Sequence, residues 1–450
     1  MAENHPLTQA MARLDALTDW ERRPRTKMRV GLEPMQDLAA RLQHPEKAFR
    51  AVHVAGTKGK GSVSALIEAA LGRAGLRVGR YGSPHVERVT ERISVQGRDV
   101  DEPTLARALN QALDAYEAAR AAGTPAANAT WFDLLTAAAF LIFREASVEW
   151  AVIEVGLGGR LDSTNIVDGE IAVVTNIELE HTEILGKTRA AIAGEKVGIL
   201  KPGAVLITTL EADDEAGHVL QSRADKLGSR VKRTRVDLSA PIDEINLALA
   251  AAVLGELRRK GVSGRSGEPV GAALLDGEAR AAARLPGRME RFDVEIGRRR
   301  VPVVLDGAHV PFNIGAVLRD LARNADLSGP CVAIVAIAAD KDAQGFVAEL
   351  AKRASTVLFT DLPGSNRGRS PAELQALAGS LGLKSEIEPE AKIALKRGIE
   401  LAARANAWLI VTGSLYLIGA LRPAIAEAAA APQGTSAAPP FGQPPVGGPG

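Results

Sequence analysis

Short apolar runs alternate with amphipathic runs from about Arg50 onward, as expected of parallel β-sheets covered by helices on both faces. The runs AVHVAG, EWAVIEVG, EIAVVTNI and AVLITT are apolar and short enough to be buried parallel strands. The segments GSVSALIEAALGRAG, TLARALNQALDAYEAARAAG and TWFDLLTAAAFLIFREA carry apolar residues at helical spacing. The pattern therefore predicts an α/β fold.

A second series of strand-like runs begins at VPVVLDG (301–307) and continues through CVAIVAIA, TVLFTD and WLIVTG. Pro286 and Gly287 interrupt the Ala-rich helical run before it, which places a domain joint in ARLPGRMERFDV (283–294). We therefore predict a first domain over residues 1–287, a linker over 288–298 and a smaller α/β domain over 299–430. Residues 431–450 contain too few apolar side chains to offset their ordering entropy, and we expect them to be disordered.

Composition excludes several classes of partner. The 55 Lys and Arg residues balance 54 Asp and Glu residues, so there is no broad positive field for nucleic acid or an anionic membrane. The single cysteine, Cys331, excludes an internal disulfide framework and is expected to be a buried small apolar residue. The N-terminus has no apolar core with a cleavage site, and no stretch reaches the length of a membrane span, which predicts a cytoplasmic protein.

The stretch AVHVAGTKGKGS (51–62) predicts a phosphate-binding loop between a strand and a helix. Its glycines allow a sharp turn that points backbone N–H groups inward, Lys60 would reach the β- and γ-phosphates, and the Ser62 hydroxyl would bind Mg²⁺. The spacing differs from GxxxxGK[ST], because Gly61 separates the lysine from the serine, and a glycine-rich turn with solvated lysines is the alternative. The predicted ATP-binding loop comprises Gly56, Thr57, Lys58, Gly59, Lys60, Gly61 and Ser62.

The pattern GTxGKGS after HVxG resembles the nucleotide-binding loop of the Mur ligase superfamily, and most closely its folylpolyglutamate synthase and dihydrofolate synthase branch. The resemblance extends from GLEPMQDLAARLQ to WLIVTGSLYLIGALR, with several independent motifs in the family's order. It implies an N-terminal P-loop-type ATPase domain with a parallel sheet and a smaller C-terminal Rossmann-like α/β domain. It also implies transfer of the ATP γ-phosphoryl group to a carboxylate, followed by displacement of phosphate by an amine.

The resemblance implies ATP and two Mg²⁺ ions as cofactors, with Lys60, His181 and Lys196 as catalytic residues. Glu154 in EVGLGGRLDSTNIV matches a metal-binding glutamate, with a helix-capping carboxylate as the alternative. Glu180 precedes His181 in TNIELEHTEILG, where the family more often has Asp, and the alternative for His181 is an ordinary polar residue. The implied metal ligands are Ser62, Ser83, Glu154, His181 and Lys196.

Lys196 in IAGEKVGILKPG matches a lysine that the family carbamylates with CO₂ to make a carboxylate-like ligand for the second magnesium ion. This chemistry requires an amine that is partly deprotonated through burial or nearby positive charge. A salt bridge with a neighbouring acid is the alternative that the sequence leaves open.

Further positions match the family's nucleotide and substrate sites. Asn246, Arg288 and Asp306 correspond to nucleotide contacts, and Arg288, in the joint, would couple domain closure to the triphosphate. Val310 replaces the asparagine of the usual DGAHNP motif, so the side-chain amide is absent. Of the family's functions, binding of the incoming glutamate would be affected most by this change. The implied substrate-binding residues are Ser83, Pro84, His85, Phe132, Asp133, Leu161, Asp162, Ser163, His309 and Ser414, with Lys341, Asp342, Arg367 and Arg369 as further candidates for glutamate.

The sequence leaves three functions as alternatives. The first is ATP-dependent addition of L-glutamate to dihydropteroate or a folate by a monomer with small-molecule partners only. The second is another Mur-type amide ligase with a non-pterin carboxylate substrate, for which Val310, Glu180 and Asp133 argue. The third is a non-catalytic ATP-binding module, which would not need Lys196.

Overall fold

The computed structural model describes residues 5–19, 31–365 and 367–430, which divide into two compact units at Leu285 and Pro286. The predicted disordered tail, 431–450, lies outside the described residues. No helix in the described part of the chain combines the length and the apolar character that a bilayer span needs.

The first unit contains one sheet in the strand order β4-β3-β2-β5-β1-β6-β7-β8. Strands β2, β5, β1, β6, β7 and β8 are parallel, whereas β3 and β4 form an antiparallel edge. The strands are β1 (Arg50–Ala55), β2 (Val78–Tyr81), β3 (Ile93–Val95), β4 (Arg98–Asp99), β5 (Trp150–Glu154), β6 (Gly169–Val174), β7 (Val205–Thr208) and β8 (Arg230–Arg233).

Helices cover both faces of this sheet. They are α1 (Pro6–Asp15), α2 (Glu33–Arg41), α3 (Lys60–Arg73), α4 (Glu102–Ala122), α5 (Trp131–Glu145), α6 (Thr182–Leu185), α7 (Arg189–Lys196), α8 (Glu215–Lys226), α9 (Ile242–Arg259) and α10 (Gly277–Ala282). Strand β1 is buried on both faces, since Ala51 packs with the α4 and α5 side and Val52 and Val54 pack with the α3 and α9 side.

The order of the strands positions a binding site. From β1 the chain continues to β2, which lies toward the β4 edge of the sheet. Later it continues from β5 to β6, which lies toward the β8 edge, and β1 lies between β5 and β6. Ligands of open α/β sheets bind where the strand order reverses, outside the carboxyl ends of the strands. The loop after β1 therefore lies at the expected position for a ligand.

The second unit has a sheet in the order β13-β12-β11-β14-β10-β9, parallel except for β9. Its strands are β9 (Glu290–Ile296), β10 (Arg299–Asp306), β11 (Cys331–Val335), β12 (Ala354–Phe359), β13 (Ser385–Ile387) and β14 (Trp408–Thr412). Its helices are α11 (Pro311–Leu321), α12 (Ala343–Ala351), α13 (Pro371–Ser380), α14 (Ala391–Ala405) and α15 (Leu415–Ala430).

The predicted linker, residues 288–298, contains β9, which pairs along its length with β10 and belongs to the sheet. Cys331 is fully buried in β11, as expected, and burial raises the pKa of its thiol to about 12.

Candidate active site

The glycine loop, residues 56–62, joins the carboxyl end of β1 to the first turn of α3. Gly56 has a φ of 147° and Gly59 a φ of 84°, which side chains rarely tolerate. A Cβ on Gly56 would lie 1.9 Å from Thr175 Oγ1, and one on Gly59 would lie 2.6 Å from Asn246 Oδ1. The glycines therefore permit a close approach of backbone and neighbours at the positive end of α3, where anions bind.

The segment after β6 holds the glycine loop in shape. The Lys58 N–H donates to Asn176 Oδ1 at 2.9 Å, and the Thr175 hydroxyl donates to the Lys58 carbonyl at 2.6 Å. The Thr57 N–H donates to the Asn176 carbonyl at 2.9 Å. The predicted nucleotide residue Asn246, which is buried on α9, also lies against this loop at Gly59.

Two lysines converge on the carbonyl of Gly56. Lys60 Nζ donates to it at 3.2 Å and Lys196 Nζ donates to it at 2.9 Å. Burial lowers the pKa of Lys196 to about 7, and the positive charge of Lys60 contributes to the shift. Both side chains therefore lie at the glycine loop, where the positive charge of Lys60 adds to that of the α3 N-terminus in favouring an anion.

Glu154 ends β5, next to Val54 of β1 in the sheet register. Its side chain is buried, and its Oε1 lies 4.0 Å from Lys60 Nζ. Its Oε2 accepts a long hydrogen bond of 3.4 Å from the Ser83 N–H. The structure therefore brings together Glu154, Ser83 and the glycine loop, three parts of the predicted site that are distant in sequence.

Glu180 links His181 to the glycine loop, a role that the sequence did not predict. Glu180 Oε1 lies 3.1 Å from Lys58 Nζ and 3.8 Å from His181 Nε2. His181 itself has a φ of 54°, in the left-handed region that non-glycine residues rarely adopt and that occurs at functional sites. The adjacency of Glu180 and His181 in TNIELEH was the available signal.

A second cluster of predicted residues surrounds the start of α5. Asp133 Oδ2 accepts hydrogen bonds of 2.7 Å from both the N–H and the hydroxyl of Thr130, and its Oδ1 accepts one of 2.6 Å from the Ser163 hydroxyl. Burial raises the pKa of Asp133. The carboxylate thus completes a capping box and fixes Ser163, and its direct contact with a substrate stays a prediction.

Phe132 and Asp162 shape the loop that follows β5. The half-buried Phe132 ring packs on Gly156, where a Cβ would lie 2.6 Å from its Cζ. Asp162 accepts hydrogen bonds from the N–H groups of Leu157 at 2.8 Å and Thr164 at 3.0 Å, and burial raises its pKa. Leu161 is half-buried beside Asp162.

The segment Ser83-Pro84-His85 follows β2, with Pro84 exposed and its neighbours half-buried. His85 Nδ1 accepts a hydrogen bond of 2.8 Å from Arg92 Nε, and the Arg92 guanidinium stacks 4.8 Å from the Trp131 ring centre. This stacking links the segment to the start of α5, the second group of predicted substrate residues.

In the second unit, the motif Asp306-Gly-Ala-His309 lies at the carboxyl end of β10. Asp306 accepts hydrogen bonds of 2.9 Å from the N–H groups of Met289 and Ala308. His309 Nδ1 donates to the Gly307 carbonyl at 2.8 Å. Val310 is the N-cap residue of α11 and provides no side-chain hydrogen bond there.

Several of the remaining second-unit candidates have hydrogen-bond partners within that unit. The Ser414 hydroxyl caps α15 by accepting from the Tyr416 N–H at 3.1 Å. Asp342 caps α12, and Arg369 donates to the Ala339 carbonyl at 2.9 Å. Arg367 and Lys341 lie in the loops after β12 and β11, where their contact with glutamate stays a prediction.

Comparisons with known proteins identify the family. The Mur ligase middle domain matches residues 54–247, and the Mur ligase glutamate ligase domain matches residues 287–415. The dihydrofolate synthase/folylpolyglutamate synthase of Bacillus subtilis is 31% identical over 88% of this chain and 95% of its own length.

Solved structures agree with the fold. Escherichia coli FolC in complex with DHPP and ADP superposes with a TM-score of 0.77 at 28% identity, covering 94% of this chain and 98% of that one. The bifunctional synthase of Yersinia pestis, complexed with AMPPNP and a Mn ion, gives a TM-score of 0.76 at 29% identity, covering 94% and 98%. The chain therefore belongs to the folylpolyglutamate synthase and dihydrofolate synthase family of Mur ligases.

Proposed function

We propose that this chain is an ATP-dependent ligase that adds L-glutamate to dihydropteroate, to tetrahydrofolate, or to both, acting as a monomer. The observation that carries the proposal is the convergence of Lys60 and Lys196 on the Gly56 carbonyl, beside the buried Glu154. A glycine loop with the Lys60 cation for phosphate, and a buried carboxylate for a metal ion, suit a metal-bound triphosphate better than any neutral ligand.

The reaction has two steps. A carboxylate oxygen of the pteroate or folate attacks the γ-phosphorus of ATP, the bond to the β–γ bridging oxygen breaks, and ADP leaves. The amine of glutamate then attacks the acyl carbon, phosphate leaves, and the amine releases a proton as the amide forms. Little covalent work falls to the protein in phosphoryl transfer, so positioning and charge neutralisation account for most of the catalysis.

Residues of the glycine loop would bind the phosphates, with Lys60 at the β- and γ-phosphates. We assign Asn246, Arg288 and Asp306 to the nucleotide as well, because Asn246 lies against Gly59 and Arg288 is exposed next to Gly307. The exposed guanidinium of Arg288 suits bidentate contact with phosphate oxygens.

Two magnesium ions belong to this proposal. Ser62 and Ser83 hydroxyls, the Glu154 carboxylate and the His181 imidazole are the candidate ligands, and Glu154 lies next to both Lys60 and Ser83. When bound, Mg²⁺ neutralises phosphate charge. Hard oxygen ligands dominate the set, as magnesium prefers.

Lys196 would supply the remaining ligand as a carbamate. Its neutral amine attacks the carbon of CO₂, one C=O bond opens to a carboxylate, and the amine loses a proton. The pKa of about 7 supports this assignment, because a large share of the amine is neutral near physiological pH. The salt-bridge alternative requires a charged ammonium, which burial disfavours.

The pteroate group would lie near Phe132, with the segment Ser83-Pro84-His85 and residues Leu161, Asp162 and Ser163 around it. Phe132 offers a half-exposed ring, and Asp133 holds the Ser163 hydroxyl in place. Glutamate would contact residues of the second unit, including His309 and Ser414.

The test is ATP-dependent phosphate release by the purified chain with Mg²⁺ and L-glutamate, offered dihydropteroate, tetrahydrofolate or a panel of other carboxylic acids. We expect release with a pteroate or folate acid only, and none from Lys60→Ala. Turnover with a non-pterin acid alone would assign the chain to another Mur-type ligase. ATP binding without turnover on any acid would contradict the enzymatic proposal. Light scattering on the same sample would give the molar mass in solution and so test the proposed monomeric state.

A further inference from the structure

The turn 286–290, Pro-Gly-Arg-Met-Glu, opens the second unit and has an unusual backbone. Gly287 has a φ of 62° and Met289 a φ of 48°, so both neighbours of Arg288 are left-handed. A non-glycine residue such as Met289 keeps this conformation only where surrounding contacts enforce it, and such strain accumulates at functional sites.

Three hydrogen bonds within the second unit enforce the turn. The Gly287 N–H donates to Glu290 Oε2 at 2.9 Å, and the Gly307 N–H donates to the Gly287 carbonyl at 3.0 Å. The Met289 N–H donates to Asp306 Oδ2 at 2.9 Å. The backbone is therefore fastened immediately before and immediately after Arg288.

Glu290 is itself held by Arg422 of α15. Arg422 Nε donates to Glu290 Oε2 at 2.9 Å and its Nη2 donates to Oε1 at 2.7 Å, a two-point contact between side chains that are both mostly buried. The Arg422 guanidinium also lies 5.9 Å from the Phe292 ring centre. Such paired contacts fix geometry as well as charge.

Arg288 is exposed, and its Nη1 lies 2.8 Å from the position that a Cβ on Gly307 would occupy. Its backbone is rigid although its side chain reaches solvent. Glu290 accepts from the Gly287 N–H while Arg422 holds its carboxylate, so their pairing fastens the turn that carries Arg288. We propose that Glu290, held by Arg422, is a positioning residue that presets Arg288 for the triphosphate of ATP. This inference rests on the proposed function.

A double-mutant cycle tests the inference, with steady-state kinetics in ATP as the readout. We expect Glu290→Ala to lower kcat/KM for ATP about tenfold, and Arg288→Ala to lower it further. In the Arg288→Ala background, Glu290→Ala should change kcat/KM by less than about twofold, because its effect acts through the arginine. Glu290→Gln should retain much of the activity, since its amide oxygen still accepts from the Gly287 N–H.

Glu295→Ala removes the same charge from an exposed position on the same strand and should match the wild type. Arg422→Met leaves Glu290 in place and gives an independent version of the cycle if Glu290→Ala fails to fold.

Equal losses from the Glu290 or Arg422 change with and without Arg288 would overturn the inference, because they would show a general effect on stability. Wild-type kinetics for Arg288→Ala would overturn it as well. Neither result touches the proposed ligase activity, which product formation by the wild-type chain decides separately.

Discussion

Replacing Lys196 by alanine should remove both a CO₂ adduct and the ligase activity. Burial and the charge of Lys60 lower the pKa of this amine from 10.5 to about 7. At pH 7.5 roughly three quarters of such amines are neutral, against about 0.1% for an ordinary lysine, so the reactive form is enriched by nearly three orders of magnitude. We expect Lys196→Ala to lower the ligation rate by more than about a hundredfold, comparable to removing one preorganised charge-stabilising group.

The assay is ¹³C NMR of the protein under labelled CO₂ at constant partial pressure, in parallel with phosphate release. The wild type should show a carbamate signal that grows as pH rises through about 7, because only the neutral amine reacts and the folded pKa lies there. Bicarbonate should not rescue Lys196→Ala, whereas formate or acetate should restore part of its activity by replacing the carboxylate.

Lys201 provides a matched control, since burial also lowers its pKa but its Nζ donates to the Asn165 carbonyl at 2.7 Å, away from the glycine loop. Lys201→Gln should keep the carbamate signal. A signal that survives in Lys196→Ala, or full activity in that variant, would refute the reasoning.

Three further predictions follow from local geometry. Val310→Asn should add the missing side-chain cap to α11 and raise the free energy of unfolding by about 1 kcal/mol; a lower melting temperature would contradict this. Gly56→Ala should abolish nucleotide binding measured by calorimetry, because its Cβ would collide with Thr175, while Gly194→Ala, which has open space, should bind normally. The buried His53 has a folded pKa of about 3, below its ordinary 6.5, so the unfolded chain takes up the proton and stability falls as pH drops below 6.5. In urea unfolding, the free energy of unfolding of the wild type should fall between pH 7 and pH 5 by about 2 kcal/mol more than that of His53→Gln. Equal decreases in the two proteins would contradict the lowered pKa of His53.

The fold class and the glycine loop could be predicted because their signals are local. Apolar runs identify β1 and β5, and helical periodicity identifies α3, α4 and α5 to within a few residues. Strand β4, Arg98–Asp99, has no apolar residue, and β9, Glu290–Ile296, mixes charged and apolar positions. Both are sheet-edge strands that pair with the strand next to them in the sequence, β4 with β3 and β9 with β10. Their mixed or polar composition lacks the apolar run of a buried strand, so the linker prediction for 288–298 is wrong.

The chemistry of the site was predictable in part. The spacing of the glycines and lysines indicated a phosphate site, whereas the lowered pKa of Lys196 depends on burial that sequence does not display. Glu180 contacts Lys58, which is far from it in the sequence, and only the structure reveals this contact. The capping box of Thr130 and Asp133, in contrast, follows a known local pattern and could have been recognised from TWFD.

The most direct measurement is isotope transfer during a single turnover. Dihydropteroate labelled with ¹⁸O in its carboxylate would be incubated with the purified chain, ATP, Mg²⁺ and L-glutamate, and mass spectrometry would follow both products. Activation of the acid by ATP predicts one ¹⁸O atom in the released phosphate and a pteroate product carrying one added glutamyl residue. Phosphate without label, or an unchanged pteroate alongside consumed ATP, would contradict the account.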